Sequence, residues 1–220
     1  MPRDPAPRTA PAVAPSTRRR GAVLERAIHA AVLELVVEQG AAGVTMEAVA
    51  DRAATSKAVL YRRWEDRGAL LRETLVPLAM QAIPHTDTGT YRGDMLAILH
   101  GWAEFFAGPT GAIGAAIVGA MPHDPELAAA FRDGVIAWRK QAMTETLTRA
   151  IGRQEVRPDV PFEVARELGQ AVLWHRFLVT GDPITEGLIE HIVDEVLIPY
   201  TRPERTERTR SSRGQRGASA

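Results

Sequence analysis

The sequence predicts an all-α protein of about nine helices, and three observations carry that prediction. Apolar residues recur at helical spacing, as in Leu24, Ile28, Ala31 and Leu35, and no stretch alternates with the period of two that a half-buried strand requires. Helix-start and helix-stop residues punctuate the chain: Thr45, Ser56, Asp66 and Asp124-Pro125 as starts, Gly40 and Gly181 as stops. The 220 residues are 45% apolar and 25% charged, enough to bury a core of ordinary globular size.

Taken in order, the first helix is expected over residues 21 to 39, closed by Gly40. A short helix follows from the Thr45 cap to Ala53, and another from the Ser56 cap to Arg62 or Arg63. Asp66 caps a longer helix to Ile83, which Pro77 should bend. Pro84 to Gly93 reads as a linker, and residues 94 to 107 as a helix with Leu96, Leu99, Trp102 and Phe106 on one face. Pro109 opens a Gly/Ala-rich segment that ends at Met121-Pro122 and suits either a mobile wall or tight packing. Asp124-Pro125 starts a helix that reaches toward Gly152. Pro161 starts the next, closed by Gly181, and Asp182-Pro183 starts the last, which ends near Pro199. The expected organisation is a basic tail (1 to 20), a headpiece (21 to 65), a larger body (66 to 200) and a second basic tail (201 to 220).

The formal net charge is zero, but it is unevenly spread. Residues 1 to 20 hold five Arg against Asp4, and residues 201 to 220 hold six Arg against Glu204 and Glu207. Basic tails therefore flank an acidic body, which hints at a nucleic-acid partner. Without aromatic or periodic apolar residues, both tails are expected to be disordered. There is no cysteine, so disulfides and thiolate zinc sites are excluded. No apolar run reaches the roughly 18 residues of a membrane span, so no membrane partner is expected and the expected setting is the cytoplasm.

The stretch TMEAVADRAATSKAVLYRRWEDRGALL, Thr45 to Leu71, carries the functional signal. Two short helices joined by a tight turn cannot bury a core between them and need the first helix as a third wall. Met46, Val49, Ala53, Val59 and Leu60 are placed to meet Leu24, Ile28 and Leu35. This is the composition of a helix-turn-helix, whose second helix enters the major groove of DNA. Thr55, Ser56, Lys57 and Ala58 lie at the start of that second helix, where free N–H groups and the helix dipole favour a phosphate. Tyr61, Arg62 and Arg63 follow one turn later, and Arg can grip either a guanine edge or a phosphate. Arg67 lies in the first turn of the next helix, where a cation opposes the dipole, which suggests a phosphate partner.

The string from Gly43-Val44-Thr45 through Ala50, then Ser56-Lys57-Ala58-Val59-Leu60-Tyr61-Arg62-Arg63-Trp64, then Arg67-Gly68-Ala69-Leu70-Leu71, resembles the headpiece of the TetR family of transcriptional regulators. The resemblance implies a helix-start phosphate contact at Thr45, a recognition helix opening at Ser56 and Lys57, a phosphate-holding Tyr61, and a backbone contact at Arg67. Val59 stands where the family often has Thr, Arg63 where His is common, and Trp64 where Phe is usual. Base reading is thereby shifted toward Lys57, Arg62 and Arg63. Ala54 occupies a turn position that usually carries Gly, and a left-handed Ala there would cost about 1 kcal/mol.

The resemblance further implies a ligand-responsive repressor that binds a palindromic operator in double-stranded DNA as a homodimer, with a small-molecule effector held in the body. Aromatic and soft residues suited to a pocket are Trp102, Phe105, Phe106, Met121, Trp138, Trp174 and His175, with His100 and Arg176 as further polar anchors. Such residues serve equally as core. The last two helices offer apolar stripes for pairing: Leu168, Val172 and His175 on one, Leu188, Ile192 and Val196 on the other. A stripe of that kind also satisfies a core within one subunit. The chain holds no phosphate loop, HExxH or GxSxG, so neither an enzyme nor a cofactor or metal site is expected. The alternative function is a helical ligand-binding or protein-interaction module that does not touch DNA.

Overall fold

The computed structural model describes residues 15–85 and 87–203, and among these it contains nine helices and no strand. They are α1 (Pro15–Gln39), α2 (Met46–Arg52), α3 (Lys57–Tyr61), α4 (Arg67–Ala82), α5 (Tyr91–Ala107), α6 (Pro109–Ala120), α7 (125–152), α8 (162–180) and α9 (186–201). The last three each contain a widened π turn, at Arg132–Ile136, Arg176–Thr180 and Ile192–Leu197. Right-handed helical dihedrals run through each junction, so each is one continuous helix. Pro199, which has no N–H to donate, follows the π turn of α9 by two residues.

The expected caps form. The side chains of Thr45, Ser56, Asp66 and Asp124 accept from the N–H of Ala48, Val59, Ala69 and Leu127. Gly40 and Gly181 take left-handed φ values of 72° and 71°. Three boundaries differ from the sequence expectation. α1 begins at Pro15 instead of residue 21, because Pro fits a first helical position where its missing N–H has no bond to make. α5 begins at Tyr91, capped by Thr90, instead of at residue 94. α9 begins after Thr185, whose hydroxyl accepts from Leu188 N, and not at Asp182-Pro183. The tail assignments for residues 1–14 and 204–220 lie outside the described residues.

Two apolar cores result. The first joins Ile28, Val32 and Leu35 of α1 to Val49, Leu60 and Trp64, and continues into Leu70, Leu71, Ile117 and Leu127. The second is built from α5, α7, α8 and α9 around Leu99, Trp102, Leu147, Leu173 and Val193. The headpiece core therefore does not stop at residue 65: α4, α6 and the start of α7 are part of it.

The Gly/Ala-rich segment is close packing. α5 and α6 turn through 88° at Gly108. A Cβ on Gly111 would come within 2.5 Å of the Phe106 carbonyl oxygen, and one on Gly114 within 2.9 Å of the Phe105 ring. Only residues without a side chain let α6 lie this close against α5. Among the described residues, no single helix is long and apolar enough to cross a membrane.

Candidate nucleic-acid interface and body cavities

The headpiece rests on the turn between α2 and α3. Ala53 ends α2, and Ala54 follows with φ 49°, in the left-handed region. Ala54 N donates to Asp51 O and Thr55 N donates to Ala50 O, the two hydrogen bonds of a Schellman closure. Gly is the usual residue at such a position because it has no Cβ to clash. Ala54→Gly is therefore expected to raise stability by about 1 kcal/mol, or about 2–4 °C in thermal midpoint, by melting. No gain on melting would show that this turn is unstrained.

α3 is anchored by Leu60, which is fully buried, and by Trp64 just beyond it. Its outer face carries Ser56, Lys57, Ala58, Tyr61 and Arg62, all exposed; Tyr61 is 55% accessible. Thr45 is exposed at the start of α2, and Thr55 is half-buried because its N–H closes the turn. Lys57 pairs with Glu47 at 3.1 Å across two exposed side chains, an interaction that water and salt screen. Arg62 has no ion-pair partner among the described residues. Arg63 turns back and pairs with Glu25 of α1 at 3.1 Å. Among the described residues Arg62 is thus the unpaired cation of this face, Lys57 is held by an exposed pair to Glu47, and Arg63 is tied to the first helix.

Arg67 is placed differently from the expectation. Its guanidinium turns inward, only 15% exposed, and is fully occupied. It donates to the carbonyls of Val44 and Ala41, to both carboxylate oxygens of Asp124 and to Glu126. The cation at the dipole's unfavourable end is thus compensated by acids from α7 instead of by an exposed anion. Pairing with Arg67 holds the Asp124 carboxyl below the usual carboxylate range. This clamp joins the headpiece to the body and was invisible in sequence, since its partners lie 57 and 59 residues apart.

Glu25, His29 and Glu73 also converge, with ligand atoms within 4.8 Å of one another. Each already has a protein partner: Arg63, the Thr74 hydroxyl and the Trp64 indole N–H respectively.

Among the described residues of the body lie two inner cavities and an outer cleft. One inner cavity, close to 40 Å³, is apolar and is walled by α4, α5, α6, α7 and α8, with Trp102, Phe105 and Trp174 on its lining. The other, close to 20 Å³, brings together His85, Trp102, Arg139, Arg166 and Gln170. Met121 and Trp174 line the outer cleft, close to 370 Å³, which shares Arg139 and Gln170 with the smaller cavity. The inner cavities fall far below the about 300–1,000 Å³ of a ligand pocket, so a ligand must displace their walls.

Three expected pocket residues and two further anchors are corrected. Phe106 is buried in a stack on Phe177, ring centroids 4.4 Å apart, and lines neither inner cavity nor the cleft. Trp138 packs edge-on against His85 at 5.3 Å, outside them. His175 is exposed on α8, because the helical period that turns Trp174 inward turns its neighbour out. Arg176 donates to the Pro183 carbonyl, and His100 is not part of these cavities. Sequence reading missed His85, Arg139, Arg166 and Gln170, which lie on separate elements and share no local motif.

Of the expected pairing residues, Val172 and Val196 are 40% and 39% exposed, and His175 is exposed. Leu168 and Leu188 are half-buried against their own core. Ile192 is corrected: at 3% exposure it belongs to the core of its own subunit.

Helix α1 and the two short helices α2 and α3 around one core, with an exposed, capped α3 bearing Lys57 and Tyr61 and followed by Arg62, define a helix-turn-helix transcriptional regulator. The comparisons give the family. Residues 28–74 match the model described as bacterial regulatory proteins, tetR family, and residues 85–196 match the one described as tetracyclin repressor-like, C-terminal domain. The chain belongs to the TetR family. It is 29% identical over 185 residues to the DNA-binding transcriptional repressor TetR of Mycobacteroides abscessus, covering 84% of this chain and 97% of that one. It superposes on the TetR family transcription regulator SCO0332 with a TM-score of 0.65 at 29% identity, over 82% of this chain and 99% of that one. The fold is shared with AibR, solved in complex with isovaleryl coenzyme A and operator DNA, at a TM-score of 0.54 and 16% identity over 80% and 98% of the two chains.

Proposed function

We propose that this regulator is a cytoplasmic repressor that binds a palindromic operator as a homodimer and is released by a small-molecule effector. The observation that carries the reading is the α3 face: Ser56, Lys57, Ala58, Tyr61 and Arg62 exposed together at and beyond a capped helix start. In this reading residues 21–65 hold the DNA-reading surface and residues 66–200 the effector and pairing surfaces. Thr45 and Tyr61 take phosphates, while Lys57 and Arg62 reach base edges. Pairing falls to the outer faces of α8 and α9, where Val172, Val179 and Val196 are exposed apolar residues.

Release follows from the wall shared by the cavity and the joint. Leu75, Leu78 and Ala79 of α4, with Ile83 at its end, line the apolar cavity, and the same helix begins at the Arg67 clamp. A ligand that enlarges the cavity pushes α4 and with it the headpiece, changing the distance between the two recognition helices. Operator half-sites recur at about 34–36 Å, so a shift of a few ångströms ends the fit. The related structure with both a ligand and operator DNA supports a common scaffold for the two events.

The test is fluorescence anisotropy with the duplex upstream of the protein's own gene. Specific binding by two protomers per site, weakening steeply as salt rises, is expected. An affinity no greater than for unrelated duplex at every salt concentration would leave the chain as a helical binding module without DNA function.

A further inference from the structure

We propose that the effector carries a compact anionic head, such as a carboxylate, on an apolar body, and that Arg139, Arg166 and the Trp102 indole N–H receive the head. The inference rests on the reading of the body as an effector site.

The smaller inner cavity is lined by polar atoms that lack partners. Trp102 is 4% exposed, and its Nε1 is buried with no hydrogen bond. Nε of Arg166 and both ring nitrogens of His85 are likewise buried and unpartnered. Natural proteins rarely leave such atoms unsatisfied, and where they do the site often has a further function. Arg139 has no hydrogen bond or ion pair among the described residues. Its guanidinium lies 5.7 Å from the centre of the Trp102 ring, and burial pushes its pKa down to about 10, with Glu167 offsetting only part of that cost.

The chemistry of these groups selects the sign of the ligand. An indole N–H and a guanidinium can only donate. A cationic or donor-only ligand would leave them all unmet, whereas a carboxylate brings two acceptor oxygens that suit the guanidinium fork. His85 is held neutral, its pKa lowered to about 4 first by burial and then by Arg139 and Arg149, against a small opposing effect of Glu145. As a neutral ring it adds one more donor.

The position of Arg139 supplies the rest of the ligand. Arg139 and Gln170 face both the polar cavity and the outer cleft. Val118, Met121, Phe131, Ile136 and Leu178 give that cleft a largely apolar wall, and its acidic group, Glu167, lies close enough to Arg139 to act on its charge. A head at Arg139 therefore places an attached chain or ring among apolar side chains. A free inorganic anion would leave the cleft empty.

The test uses the full-length protein, with tryptophan fluorescence and calorimetry at neutral pH. Decanoate and 4-phenylbutyrate are compared with decanol, 4-phenylbutanol and acetate. The acids are expected to bind at least tenfold more tightly than the alcohols, with no saturable binding of acetate. Arg139→Gln should abolish that preference while leaving the alcohols' affinity unchanged. Trp102→Phe, which removes the N–H and keeps a ring, should reduce it and serves if Arg139→Gln does not fold. Alcohols that bind as well as acids, or a preference that survives both substitutions, would overturn the anionic head while the effector reading stands. Acetate binding as tightly as decanoate would overturn the apolar body. If no compound binds, the proposal fails. The effector reading fails with it only if small-molecule extracts of the host also leave operator affinity unchanged.

Discussion

Arg67→Met is expected to lower stability by about 2–3 kcal/mol, seen as a fall of about 5–10 °C in the thermal midpoint. The size follows from what the guanidinium holds. Two backbone carbonyls and the Asp124 carboxylate each lose a donor, and Asp124 and Glu126 lose their counter-charge. Side-chain exposures of 15% and 19% for Arg67 and Asp124 place the pair between a surface bridge and a fully buried one, hence the lower part of the buried-pair range. Arg67→Lys keeps the charge but cannot serve four acceptors from one planar fork, so it should lose part of the same stability. Adding Asp124→Asn to Arg67→Met should cost little more than Arg67→Met alone, since the stranded charge is gone. A midpoint unchanged by Arg67→Met would place the guanidinium in solvent and return it to the list of phosphate contacts.

Arg62→Ala is expected to weaken operator binding by about 1–3 kcal/mol, roughly 5- to 150-fold, and to relax preference at one base position if the side chain reads a guanine. Arg63→Ala should act differently. Arg63 is paired with Glu25, so its loss loosens the packing of α3 against α1 and weakens all duplexes together. Anisotropy on operators mutated one base at a time separates the two results. Uniform weakening for Arg62→Ala would make it a phosphate contact. Position-specific relaxation for Arg63→Ala would mean that the Glu25 pair opens on DNA.

Much of the fold was legible because it is encoded locally. Thr45, Ser56, Asp66 and Asp124 each bond an N–H three residues along, so composition at one point suffices to place a helix start. Ala54 was marked only by the family resemblance, which puts Gly at that turn, and its φ of 49° is the left-handed backbone that Gly would fit. Asp182-Pro183 misled because a cap-and-Pro pattern is permissive: Thr185 offers the same chemistry three residues later, and the backbone took that one. Ile192 misled because one apolar stripe satisfies a partner or a core equally well, and only the fold of α9 against α5 and α8 decides between them.

The recognition face and the body's polar cavity lie at opposite ends of that scale. Sequence by itself determined the helices, the caps at Thr45, Ser56, Asp66 and Asp124, and the headpiece bearing Lys57, Tyr61 and Arg62, because each depends on residues within a few positions of one another; the family resemblance added the turn at Ala54. The tertiary structure alone decided that Arg67 is a clamp to Asp124 and Glu126, that Arg63 belongs to Glu25, and that His85, Trp102, Arg139 and Arg166 converge. Those interactions are made through space by side chains far apart in the chain, and charge or hydrogen-bond partners at such separations leave no local pattern to read.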